Sequence, residues 1–155
     1  MPIFQQINAE ENLKKIVKSA FDTDMEISGA WGYTQASATC LEGNPDHLPV
    51  AQIEHMLASM RAYLEMNMTL EKEKRYGSIN INEIFREQLR TEEHTYDKVN
   101  YEITAMQEED YTSFINEYKE GYGKEDFDLN DHFQRRKEAT ITRSVIHWFE
   151  IGKVI

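Results

Sequence analysis

Two polar side chains near the end of the chain have the residue types and spacing best suited to chemistry. Arg143 and His147 alternate in phase with Val145 and Phe149, so a strand over about 138–151 places all four on one face. A polar group on an apolar face must be paired or must line a cavity that admits water or a ligand. Histidine serves as a general base and arginine binds carboxylates or phosphates, so we take this pair as the candidate catalytic residues. The alternative is a structural role, with both groups paired in the core or reaching water at the rim of the sheet.

Each of these two residues is expected to have its own partner from an adjacent strand. Residues four apart on a strand are separated by about 13 Å, so Arg143 and His147 share a face without being neighbours. Tyr101 and a glutamate are the expected partners, and Tyr101 is also a candidate for lining a ligand pocket. Trp31 stands among the small residues of segment 28–40. Small side chains let a helix pack closely on a sheet, and otherwise Trp31 could form the floor of that pocket.

A second polar set lies on a helix predicted from about Pro49 to Asn67. Glu54, Arg61 and Glu65 follow one edge of its apolar face, and His55 points away from that face into solvent. The chain contains no Glu-x-x-His and no His-x-x-x-His sequence, so dinuclear carboxylate and zincin sites lack their ligand spacing. We expect these four side chains to be structural.

Metal and nucleophile motifs are incomplete. Asp126, Asp128 and Asp131 imitate the start of a calcium loop, but Asp131 occupies the position that requires glycine. Lys137 stands where an EF-hand needs its bidentate glutamate, so only weak, adventitious cation binding is left open. Cys40 has no histidine beside it and is expected to be a buried structural thiol. We therefore predict no metal and no cofactor.

The elements that would position these residues follow from hydrophobic periodicity. In the first half of the chain the pattern predicts a helix from Asn8 with a capping box to Glu11, a β-hairpin over 25–41, a loop over 44–49 and a helix over 49–67. A strand near 78–82 follows, and then a segment over 84–89 that fits helix or strand. The last part is predicted to hold a strand over 98–105, a helix over 107–121, an acidic loop over 122–134 and a strand over 138–151. The predicted order is α-β-β-α-β(β)-β-α-β.

This order predicts an α+β fold. The strands alternate apolar and polar residues, which is typical of an antiparallel sheet with one face covered, here by about three helices. The length of 155 residues predicts a single domain over 1–155. The outline of helices against a curved sheet resembles small cone-shaped or cystatin-like α+β domains, a likeness that implies no function.

Composition and charge exclude several classes of function. The chain has 17 basic and 28 acidic residues, a net charge of −11, and residues 92–131 alone contain 13 acidic and 3 basic side chains. Such a surface repels phosphate backbones, so we expect no nucleic-acid partner. No apolar run is long enough to cross a bilayer and the first residues do not form a signal peptide, so we expect no membrane partner. A single cysteine is typical of a reducing compartment, which favours the cytoplasm.

These observations favour a small acidic cytoplasmic binding or adaptor domain. Its expected partner is a basic or amphipathic protein surface, met by the acidic region 92–131. We also expect a homodimer or another homo-oligomer, because Met56, Tyr63, Met66 and Met68 widen or leave the apolar stripe of the second helix. The alternative is a small enzyme of the isomerase, lyase or hydrolase type, with its pocket on the concave face of the sheet.

Overall fold

The structure is a computed structural model that describes residues 2–7 and 12–155. The capping box predicted for Asn8 and Glu11 lies outside these residues. The first helix, α1 (Leu13–Phe21), carries the predicted apolar stripe and buries its inward side chains in the core.

Helix α1 and the second helix, α2 (Val50–Tyr63), have well-defined starts. The side chain of Asn12 caps α1 by accepting a hydrogen bond from the backbone N–H of Lys15 at 3.2 Å. Helix α2 begins after Pro49, as predicted, because proline tolerates the first turn of a helix. It continues without a break into a π-helical turn, Leu64–Met68.

Five strands form one mixed sheet in the described residues. In chain order they are β1 (Ile27–Gly29), β2 (Thr39–Leu41), β3 (Tyr76–Arg90), β4 (Thr95–Gln107) and β5 (Ile141–Glu150). Their order across the sheet is β1-β2-β5-β4-β3, and every pair is antiparallel except β2 with β5. The prediction of an α+β fold is confirmed, and the sheet is mostly antiparallel.

The segment over 84–89, left open between helix and strand, belongs to β3. Its pairing with β4 is continuous on both sides of one irregularity between Glu83 and Phe85. This irregularity inserts Ile84 as an extra residue and leaves its side chain exposed. The irregular alternation that made the segment ambiguous in the sequence is therefore the signature of a β-bulge.

Two helices connect β4 to β5, where only one was predicted. The first, α3 (Glu108–Gly121), matches the prediction. The second, α4 (Leu129–Ala139), corrects both the loop predicted over 122–134 and the strand start at 138. The side chain of Asp128 caps α4 by accepting from the backbone N–H of Asp131 at 3.0 Å. The described residues thus hold four α-helices rather than about three.

The sheet has two distinct faces, which we call inner and outer. Along β4, Val99, Tyr101 and Ile103 are buried and point to the inner face, where α2 packs. The alternate residues point to the outer face and are half-buried. On β5, the residues of the inner face near the strand's end are buried, whereas Ile146 on the outer face is 40% exposed.

Candidate functional site

His147 lies on the inner face of β5 and is fully buried. Its Nε2 atom is 2.9 Å from Oγ1 of Thr39, and its ring stacks on Phe149 at a centroid distance of 4.1 Å. The Thr39 hydroxyl donates its one proton to the carbonyl of Ala30 at 2.7 Å, so the imidazole Nε2 must carry a proton and donate to Thr39. Burial, reinforced by the charge of Arg61, holds the pKa of His147 well below its usual value. The ring is therefore neutral.

Arg143 lies on the same face but has other partners. Its Nη1 atom donates to Oε1 of Glu65 at 3.0 Å, and its guanidinium lies 4.5 Å from the ring centroid of Phe4. The other oxygen of Glu65 accepts a hydrogen bond from the hydroxyl of Tyr33 at 2.6 Å. The structure does not bring Arg143 and His147 together. The glutamate partner is on the π-helical turn after α2, not on an adjacent strand.

The two predicted pocket residues are both in the core. Tyr101 and Trp31 are each 1% exposed. The Trp31 carbonyl accepts a hydrogen bond from Arg61 at 3.1 Å. In the described part of the chain, Trp31 also lines one of five surface clefts, of about 410 Å³; His147, Arg143 and Tyr101 line none of the five.

A buried carboxyl pair at the inner face was not anticipated. Glu54 is fully buried and Asp97 nearly so, and Nη1 of Arg86 donates to both, at 3.0 Å and 3.3 Å. Burial, and then hydrogen bonding with the Asp97 carboxylate, raise the pKa of Glu54 to about 9. One guanidinium therefore serves two buried carboxyl groups that share a proton.

The spacing of Glu54 in the sequence is that of a helical face, and the structure shows that this face is buried. Glu54, Arg61 and Glu65 recur at spacings of seven and four, which is the spacing of one helical face. We placed them along the edge of that face, and the structure buries all three. His55, by contrast, is exposed as predicted, and its ring hydrogen-bonds the carbonyl of Ile81 at 3.0 Å.

The buried polar groups of the inner face therefore form a packed network in which few atoms lack a hydrogen-bond partner. Four of its buried polar atoms have no hydrogen-bond partner: Trp31 Nε1, Glu54 Oε2, Tyr101 OH and His147 Nδ1. A protonated Glu54 is itself a donor and can bond the Asp97 carboxyl group, so its Oε2 atom lacks a partner only when Glu54 is ionised. The arrangement fits buried groups that hold α2 against the sheet.

The outer face carries a strip of five apolar and four polar side chains. Three cross-strand rows from β3 through β4 to β5 form it, namely Phe85–Asn100–Ile146, Glu87–Lys98–Trp148 and Leu89–Tyr96–Glu150. Phe85 is 58% exposed, and Tyr96 and Trp148 meet edge-to-face at 6.2 Å. The Lys98 ammonium lies 5.3 Å from the centroid of the Trp148 ring. We call these nine residues the outer strip.

An open groove of about 770 Å³ adjoins the outer strip. Segment 29–42, the hairpin tip at 93–96 and residues 150–153 line it. The small residues that we expected to lie under a helix, among them Ala36 and Ala38, instead form one wall of this groove. We call it the outer groove.

Three of the fourteen residues that line the outer groove are carboxylates, and most of the others are small or neutral. Glu42, Glu93 and Glu150 contribute negative charge; Glu42 is paired with Lys153, which also lines the groove, and Oε1 of Glu150 accepts a hydrogen bond from the backbone N–H of Gly152 at 3.1 Å. Cys40 also lines the groove, where burial, and then the charge of Glu150, raise the pKa of its thiol. The thiol therefore stays protonated, which makes it a poor nucleophile.

A third surface lies on the exposed side of α2, where we predicted self-association. Met56 and Tyr63 line a cleft of about 400 Å³ together with side chains of α1 and β3. Met68 is 43% exposed, but Met66 is fully buried, so the assignment of Met66 to an outward patch was wrong. The π-helical turn rotates Met66 inward, which regular helical spacing does not predict. We call this surface the α2 cleft.

The acidic region 92–131 does not form one surface. It runs from the hairpin tip through β4 and α3 to the start of α4. Three of its carboxylates, Glu108, Glu109 and Asp110, lie in the first turn of α3, where the helix dipole favours negative charge. Asp131 is paired with Arg135. Part of the region's charge is thus used locally.

No protein-family model, no curated protein and no solved structure matches the chain. Within residues 2–7 and 12–155, no helix has both the length and the apolar character needed to cross a bilayer. The same residues contain no group of three or more His, Cys, Asp or Glu side chains arranged to hold a metal ion.

Proposed function

We propose that this chain is a non-catalytic binding domain whose outer groove holds a basic, amphipathic segment of a protein. One observation carries the proposal: an open groove whose lining holds three carboxylates and one lysine adjoins a strip with exposed apolar side chains on the same face of the sheet. We further propose that it acts in the cytoplasm, consistent with its single cysteine.

Each part of the surface suits one part of such a segment. Glu93 and Glu150 can pair with lysine or arginine side chains, and the outer strip can take up the segment's apolar residues. The small residues around Ala36 allow the backbone of a helix or an extended chain to approach closely. Negative charge on the same surface disfavours phosphate-rich ligands.

A fluorescence-anisotropy titration tests the proposal. The probe is a labelled synthetic helix of lysine and leucine with all leucines on one face, and the titration is made at low and at moderate salt. We expect saturable binding that weakens with salt, because salt screens the charged contacts. The double variant Glu93→Lys/Glu150→Lys should weaken binding by roughly tenfold or more.

The control changes the net charge equally at another place. Glu71→Lys/Glu73→Lys reverses two exposed carboxylates before β3, outside the outer groove. This variant should bind the probe nearly as the wild type does. Equal losses of affinity in both double variants would mean that only the net charge of the protein matters. Unchanged binding in the groove variant would refute the proposal.

The second candidate is a small enzyme of the isomerase, lyase or hydrolase type that uses the inner face. The unpartnered hydroxyl of Tyr101 and the protonated carboxyl of Glu54 favour it, because such groups can bind or protonate a substrate. Both are buried, however, and a substrate would reach them only if the inner face opened. A fragment screen by ligand-observed NMR, repeated on Tyr101→Phe, tests this candidate. Fragments that bind the wild type but not the variant would support it, and their absence would count against it.

A further inference from the structure

We propose that the segment held in the outer groove is helix α4 of a second copy of this chain. This inference rests on the proposed function and names its partner. The structure contains a groove whose lining has a net negative charge, and it exposes a helix with an apolar, basic side.

One side of α4 combines apolar and basic residues. At 100° per residue, Leu129, Phe133, Arg136 and Lys137 fall within an arc of about 100°. Leu129 is 41% exposed and Phe133 is 47% exposed, and the Arg136 guanidinium lies 5.6 Å from the Phe133 ring centroid. The acidic residues of the helix lie on the opposite side, where Asp131 pairs with Arg135. The free side is therefore positive and apolar.

Helix α4 is held firmly enough to present this side. Its one fully buried residue, His132, packs among the aromatic rings of Phe114, Tyr118 and Phe127 between α3 and α4. The Nδ1 atom of His132 is 3.0 Å from Oε1 of Glu117, which also pairs with an arginine of α4. These contacts fix the inward side of α4; on the apolar, basic side the ring of Phe133 also lies 6.3 Å from the ring of Tyr118, and about half of its surface stays exposed.

The two surfaces are complementary in charge and in chemistry. Arg136 and Lys137 match Glu93 and Glu150 of the outer groove, and the exposed ring of Phe133 matches the apolar side chains of the outer strip. Both surfaces are present in every copy, so two copies can exchange their helices reciprocally in a closed dimer with two equivalent contacts. Because the helix and the groove belong to the same molecule, a second copy is the occupant whose complementary surface the structure itself shows.

The α2 cleft is the competing interface. It is lined by apolar side chains and His55, and it lacks the carboxylates that would select a basic helix. An interface there would respond to apolar substitutions and not to charge reversal. The two alternatives can therefore be separated by charge.

Sedimentation velocity of charge-reversed variants over a range of micromolar concentrations tests the inference. Arg136→Glu/Lys137→Glu makes α4 acidic, and Glu93→Lys/Glu150→Lys makes the outer groove basic. Each variant alone should be monomeric where the wild type associates, because like charges then face each other. An equimolar mixture should restore a dimer, because both contacts in the mixed pair join opposite charges. Lys72→Glu/Lys74→Glu reverses two exposed charges elsewhere and should associate as the wild type does.

The outcomes separate this inference from the proposed function. A wild-type chain that stays monomeric, or a mixture that fails to associate while circular dichroism shows both variants folded, would overturn the inference. Loss of association by Tyr63→Ser, with none by either charge reversal, would assign the interface to the α2 cleft and also overturn it. The lysine–leucine probe is then titrated into the α4 variant: binding there leaves the proposed function standing, and no binding rejects both.

Discussion

Replacing Glu54 by glutamine should stabilise this protein at neutral pH, although it removes a buried ion-pair partner. Arg86 is the one guanidinium that donates to both Glu54 and Asp97, and it also pairs with Glu83. Two buried carboxylates on one cation would repel each other, so Glu54 keeps its proton in the folded state. In the unfolded chain the same group ionises near its ordinary value of 4.5.

The magnitude follows from this difference in pKa. The folded state binds one more proton than the unfolded state between about pH 4.5 and about pH 9, so the free energy of unfolding falls as the pH rises through this window. Each pH unit above about 4.5 lowers the free energy of unfolding by at most about 1.4 kcal/mol, so the total loss at pH 7 is at most about 3 kcal/mol. Above about pH 9 the loss is complete and the stability no longer depends on this group.

Glutamine at position 54 removes this cost and keeps the contacts. Its amide oxygen can accept from Arg86, and its amide nitrogen can donate to Asp97 in place of the shared proton. We expect Glu54→Gln to be more stable than the wild type at pH 7, by up to about 3 kcal/mol, and to differ little near pH 5. The advantage should grow steadily between these values.

Urea unfolding, followed by the fluorescence of buried Trp31, measures this at pH 5, 6, 7 and 8. Glu87→Gln removes an exposed carboxylate from β3, the strand that carries Arg86, and controls for the change in net charge. A Glu54→Gln variant that is less stable than the wild type at every pH, with an unchanged dependence on pH, would show that Glu54 is ionised in the fold. Our account of the pair would then be wrong.

Two further predictions concern the packing around His147. A Cβ on Gly32, which has φ +76°, would lie 2.2 Å from Cδ2 of His147. The free energy of unfolding of Gly32→Ala, measured in urea, should therefore fall by about 2 kcal/mol or more. Gly43→Ala is the control and should lose little stability, because no atom lies closer than 3.4 Å to its added Cβ. His147→Ala should lose about 1–3 kcal/mol at pH 7 through its hydrogen bond to Thr39 and its cavity. Because the pKa of His147 lies below its ordinary value of 6.5 in the fold, the wild type should also lose stability as the pH falls below about 6.5. An identical decline in His147→Ala would contradict this assignment.

The regular elements were readable from the sequence because local periodicity encodes them. The apolar spacing of α2 and the strict alternation around Tyr101 each reflect one buried face, and burial of one face is decided by neighbouring residues in the chain. Helix α4 was not predicted because its sequence lacks such a periodicity. Only His132 of α4 is buried, and a helix that buries one side chain leaves no apolar stripe to detect.

The roles of the polar residues depended on contacts between distant parts of the chain. The sequence by itself placed Arg143 and His147 on an inner face and predicted a separate partner for each. Only the tertiary structure supplied Thr39 and Glu65 as those partners, the second of them 78 positions away in the chain. It also buried Glu54 and placed Asp97 against it, and burial first and this pairing second raise the pKa of Glu54 to about 9.

The outer groove shows the same division most clearly. The sequence by itself determined that segment 28–40 is rich in small residues and that the chain carries a large excess of carboxylates. Which surface those small residues border depends on how β2, β5 and the hairpin tip at 93–96 are brought together in the sheet. Local periodicity records whether a side chain is buried, but the identity of its neighbours is set by strand order and register, which no local pattern specifies.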